Sequence, residues 1–194
     1  MLLASLMGVV SPIAQGMTPV GLVQASQESE ASTAPFNPDT VPLEQLREGL
    51  ESGHPSAMMI YASRVAEESD QPETGLFWFY AGQLRWRTRL ACHDFEPGGE
   101  GALYGAMFAT LGPVFNEWAA SNIDAWVATI NRVNAWDLAT EERFEEDKAC
   151  LEQAQKQRGG MLKLKQSILD NQAKLEAATA AREAGSNDTQ SPSG

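Results

Sequence analysis

This sequence is short of the residues from which most catalytic and metal centres are built. Two cysteines and two histidines in 194 residues exclude a disulfide-rich scaffold, a four-cysteine zinc site and a three-histidine centre. Basic residues are scarce: 14 Lys and Arg stand against 26 Asp and Glu, a net charge of -12. That balance argues against a broad surface for nucleic acid or anionic lipid. A catalytic triad, a phosphate loop and a calcium loop are all missing at recognisable spacing. No cofactor and no metal are implied. Charge itself is missing from the first 27 residues, where Glu28 is the first ionisable side chain.

What is present is a chain that is 43% hydrophobic, enough to bury a core. Its N-terminal run MLLASLMGVV is shorter than the roughly 20 apolar residues of a membrane-spanning helix. The length suits the apolar region of a secretory leader. Cleavage is expected after Val23-Gln24-Ala25, with Ala14-Gln15-Gly16 as the other small-residue pattern. The run lacks an opening Lys or Arg, and the competing reading is a buried N-terminal segment. No cysteine follows it, so a lipid anchor is not supported. Residues 1–25 are read as a signal peptide, 26–41 as a polar linker, 42–184 as one domain and 185–194 as a tail. The mature protein is expected in the periplasm or outside the cell, without an integral membrane segment.

Within the domain the signals are helical and the expected class is all-α, an irregular bundle of five to six helices. Pro42, Pro55 and Pro72 each open an apolar segment of helical period, the position where proline's missing N–H is harmless. A fourth helix begins near Glu100, with a kink or restart expected at Gly112-Pro113. A fifth carries Ile123, Trp126, Val127, Ile130 and Val133 on one stripe. Thr140 is the expected N-cap of a last, long helix. Along that helix Ala154, Met161, Ile168 and Leu175 recur every seven residues, interrupted by Gln157, Asn171 and Gly159-Gly160. The stripe is expected to pack on its own domain first and to mediate self-association second.

The third helix, GLFWFYAGQLRWRTRLAC, places bulky apolar groups on every side, the pattern of a helix buried among others. Gly75, Ala81 and Gly82 are small enough for close approach. The stretch SAMMIYASRVAEESDQPETGLFWFYAGQL is similar to one helical hairpin of a tetratricopeptide or Sel1-like repeat, with Ala62, Ala66 and Ala81 between the paired helices. From His54-Pro55 through FWFYAGQLRWR to NEWA and NAWD, the chain resembles an uncharacterised exported family of Gram-negative bacteria. That resemblance implies the all-helical fold and transfers no functional residues.

Few groups are candidates for chemistry. Arg85, Trp86 and Arg89 form a cationic and aromatic cluster able to receive a carboxylate or phosphate. The alternative is internal pairing, with Glu117 and Asp124 as the acids on neighbouring segments. Cys92-His93-Asp94 is not a preassembled dyad, because successive helical residues point about 100° apart. A disulfide between Cys92 and Cys150 is favoured in an oxidising compartment. The loop HDFEPGGEG reads as a solvated acidic loop. The acidic run from Asp137 to Asp147, with six acids and one Arg, is expected at the start of the last helix, where it suits the helix dipole and offers a face for a basic partner.

Two function classes follow. The favoured one is a non-catalytic, exported helical protein that binds another protein, with an immunity or inhibitor role as its concrete form. The other is a periplasmic hydrolase using Glu117, His93 and the Arg85/Arg89 pair. Its requirement is convergence of those four groups on one cleft.

Overall fold

A computed structural model describes residues 40–144 and 147–188. The leader, most of the linker, Glu145, Glu146 and the end of the tail lie outside the described residues. Helices α1 (Leu43–Glu48), α2 (Pro55–Glu68), α3 (Pro72–Cys92), α4 (Glu100–Ala120), α5 (Ile123–Ala139), α6 (Lys148–Asp170) and α7 (Gln172–Asp188) form an all-α bundle. A 3₁₀ turn at Glu141–Phe144 joins α5 to α6. There is no strand among the described residues, and no described helix is long and apolar enough to cross a membrane.

Pro55 and Pro72 occupy the first turns of α2 and α3 as expected. The two helices pair closely because glycine sits where they touch. A Cβ on Gly75 would lie 2.8 Å from the Ala62 carbonyl oxygen, and one on Gly82 would lie 2.9 Å from Met59 Cγ. Around this hairpin the core collects Leu76, Phe79 and Leu84 of α3, Met58, Met59 and Val65 of α2, and Ile130 and Val133 of α5. Phe79 stacks on Phe115 of α4 at 4.7 Å. Fully burying such a side chain contributes about 1.5–3 kcal/mol.

Three local expectations are corrected. Thr140 does not start a helix; it ends α5, its hydroxyl donating to the Trp136 carbonyl at 3.1 Å. Asp147 caps α6 instead, accepting from the Cys150 N–H at 3.0 Å. The long C-terminal helix is two helices parted at Asn171, whose side chain donates to the Ser167 carbonyl at 2.8 Å beside its own backbone N–H at 3.2 Å. α7 then continues past Gly185 into the stretch read as a tail. α4, by contrast, runs unbroken through Pro113. The seven-residue stripe packs inward: Ala154, Met161 and Ile168 are buried, and Leu164 and Leu175 lie against the core.

Candidate functional site

α3 directs its arginines to three different neighbours. Arg85, one turn beyond Ala81, is buried at the crossing of α3, α5 and the α1–α2 loop. Its Nη1 donates to the Glu51 carbonyl at 2.5 Å and its Nη2 to Thr140 Oγ1 at 2.9 Å. Its guanidinium lies 3.9 Å from the centre of the Trp136 ring. Nε sits 3.8 Å from Asp137 Oδ1, and Arg158 of α6 donates to Asp137 Oδ2 at 2.8 Å. Arg158 also pairs with Glu141 of the 3₁₀ turn. Asp137 is fully buried, and one carboxylate between two guanidinium groups meets the requirement that a buried charge be paired.

The pairing expected for the arginines is therefore present with different acids. Glu117 is exposed and pairs with Arg182 of α7 at 3.1 Å. Asp124 is exposed in the first turn of α5, where a negative charge suits the helix dipole. The acidic run is likewise not one solvated face: Asp137 is buried, Glu141 binds Arg158 and Asp147 caps α6. Trp86 offers no open stacking surface, because it is fully buried with its ring against His54 and Tyr104.

Arg89 donates to Glu100 Oε1 at 3.0 Å, and His54 Nε2 lies 2.5 Å from the same oxygen. His54 Nδ1 accepts the Ser56 backbone N–H at 3.2 Å, with Ser56 Oγ at 2.7 Å. Because Nδ1 accepts, the ring proton resides on Nε2 and is donated to Glu100. Partial burial would raise the Glu100 carboxyl, but bonds and charge from His54 and Arg89 outweigh it and hold the group below its ordinary value. Serine, histidine and carboxylate are thus hydrogen-bonded in sequence, yet the imidazole is engaged as the cap of α2. The arrangement clasps α2, α3 and α4 together. The sequence signal for it was His54 immediately before Pro55, the capping position of a proline-started helix.

Cys92 and Cys150 are joined as a disulfide, their Cα atoms 5.1 Å apart. Beside them Arg85, Arg89 and His93 line one cleft of about 250 Å³, with Gly53 and Pro55 opposite. Glu117 does not line it. The described residues contain no group of three or more His, Cys, Asp or Glu placed to hold a metal ion.

A surface that sequence reasoning passed over lies on α4. From Gly101 to Asn116 the helix carries no charged residue, yet of its 21 residues only Gly112, Phe115, Ala119 and Ala120 are buried. Leu103, Ala106, Met107, Thr110 and Val114 recur at helical spacing on one face. Leu103 remains 48% exposed and Val114 65%. The face continues into a groove of about 360 Å³, whose far wall is Ile60, Ser63, Arg64 and Glu67 of α2. Single exposed apolar residues are ordinary on a protein surface, but a continuous stripe with an adjoining groove is the mark of an interaction site. Comparisons with protein-family models, curated proteins and solved structures find no match to this chain.

Proposed function

We propose that this chain is an exported, non-catalytic helical module that binds another protein, and that the outward face of α4 is its docking surface. The observation that carries this reading is the uncharged stretch of α4 left in solvent by a protein of net charge -12. Burying such a stripe against the apolar face of a partner helix follows the helix-in-groove mode of recognition. The internal engagement of Arg85, Arg89, Asp137 and Glu100 also supports it, since groups already paired are poor candidates for substrate chemistry. The disulfide supports export to an oxidising compartment. An immunity or inhibitor role remains the concrete form of the reading, with α4 in place of the acidic run as the contact.

A pull-down from periplasmic extract with mass spectrometry tests this, run with wild type and with Leu103→Asp/Val114→Asp. A partner held by wild type and lost by the double variant, with unchanged circular dichroism, is the expected result. Equal capture by both proteins removes α4 from the interface. The second reading, a hydrolase, keeps three of its four groups, since Arg85, Arg89 and His93 share one cleft that Glu117 does not line. It requires His93→Ala to abolish a measurable hydrolysis.

A further inference from the structure

A cleft of about 340 Å³ opens between α3, α4, α5 and α6, and shares no lining residue with the α4 groove or the disulfide cleft. Its volume lies at the lower end of small-molecule sites, which run to roughly 300–1,000 Å³. The body of its wall is apolar and aromatic: Phe108 from α4, Trp126 from α5, and Met161 and Leu164 from α6. Polar groups enter chiefly from one stripe of α3, where Tyr80, Gln83 and Arg87 follow at i, i+3 and i+7.

Donors outnumber acceptors among the polar groups that remain available, with the Gln83 and Asn116 amides carrying both. Gln83 is only 3% exposed, and its Nε2 has no hydrogen-bond partner. Buried amides are almost always bonded, so an unpartnered one on a cavity wall calls for a ligand atom to complete it. The Tyr80 hydroxyl accepts from Trp126 Nε1 at 2.7 Å and donates to Asn116 Oδ1 at 3.0 Å. Burial pushes this phenol far above its ordinary value, against weaker opposing effects of Trp126 and Arg87, so it stays neutral. Asn116 Oδ1 keeps one lone pair beyond the Tyr80 bond, and its NH₂ adds donors at the cleft. Arg87, exposed at the mouth, donates Nε to the Tyr104 hydroxyl at 2.8 Å. Its two Nη amines have no partner among the described residues.

Among the described residues no carboxylate lines this cleft. Donor groups with one guanidinium, above aromatic and aliphatic walls, select a ligand with an anionic acceptor at one end and an apolar remainder. A single cation matches one negative charge better than two. We propose that this cleft binds a small organic acid, a carboxylate carried on a flat apolar body, with Arg87 and Gln83 as the carboxylate's partners. The two residues are one helical turn apart on the same face of α3, so both can address one carboxylate.

The test uses 4-phenylbutyrate as the probe and its uncharged alcohol, 4-phenylbutanol, as the control. Binding to the full chain is read by titration calorimetry and by the fluorescence of Trp126, which lines the cleft. Saturable binding of the acid below about 1 mM is expected. It should weaken by about tenfold or more in Arg87→Gln, while the alcohol binds wild type and variant alike. Gln83→Leu should weaken the acid as well. Arg87 is a surface residue, so Arg87→Gln keeps the test valid should Gln83→Leu fail to fold. No saturable binding of the acid up to about 10 mM, or equal affinity in wild type and Arg87→Gln, overturns the proposal.

Discussion

α3 and α4 are both 21 residues long and lie against each other, yet they solve opposite problems. α3 contains three arginines and a glutamine and has eleven buried residues. α4 is the more apolar helix and has four. Composition therefore did not decide which helix became the centre of the bundle. Contact geometry did: α3 has small residues at Gly75, Ala81 and Gly82 where α2 crosses it, so its backbone can be enclosed. Its charges are then accommodated one by one, Arg85 by Asp137 and Arg89 by Glu100. α4 keeps one side for Phe79 and α5, while its other apolar side stays exposed at Leu103 and Val114. A buried helix can thus have Arg85 and Arg89 paired inside the bundle while a more apolar neighbour leaves one face in solvent.

The comparison breaks most severely at Asp137. Asp137→Ala leaves Arg85 and Arg158 without their shared carboxylate, and an expected loss of about 3–5 kcal/mol should appear in urea unfolding. A loss under about 1 kcal/mol would show that α3's charges are solvated after all. Next comes the bond that ties the end of α3 to α6. The 58-residue separation of Cys92 and Cys150 corresponds to about 4 kcal/mol in the chain-entropy model. Thermal unfolding with and without reductant, compared with the double Cys→Ser variant, measures it.

A smaller effect is expected where the two helices meet, at Glu100. Its folded-state value lies below the ordinary 4.5, so its contribution is fully present above that pH. It is lost as pH falls through the lower folded value. Urea midpoints from neutral pH down to about 3 should fall less steeply in Glu100→Gln than in wild type. Parallel acid limbs would mean that the clasp to His54 and Arg89 contributes nothing. The smallest stability change belongs to α4's outer face: Leu103→Asp/Val114→Asp should shift stability by no more than about 0.5 kcal/mol per site. A larger loss would place that face in the fold and not in an interface.

Much of this was legible before any coordinates. Proline at the first turn of α2 and α3 announced both starts, and the close-packed glycines of α3 announced its central place. The acid partners of the arginines were not, although a signal existed. Asp137 follows Trp126, Ile130 and Val133 at helical spacing, so it continues the buried stripe of α5. Arg158 likewise falls between Ala154 and Met161 on the inward stripe of α6. Read as one acidic run, Asp137 to Asp147 hid this, because charge counting ignores which face each residue takes. Asn171 did interrupt the seven-residue stripe, but so did Gln157 and Gly159-Gly160, through which α6 continues, so the interruption alone did not locate a helix end.

By itself, then, the sequence determined the helical class, the helix starts and the inward stripes. Those depend on a repeat of a few residues and on local backbone chemistry. It also left only one intramolecular pairing for its two cysteines. Tertiary structure decided which charge meets which, that α4's apolar face stays open, and that Gln83 and Arg87 border a cleft. Each of these depends on how helices far apart in the chain cross, and crossing is set by the packing of side chains that no local pattern brings together.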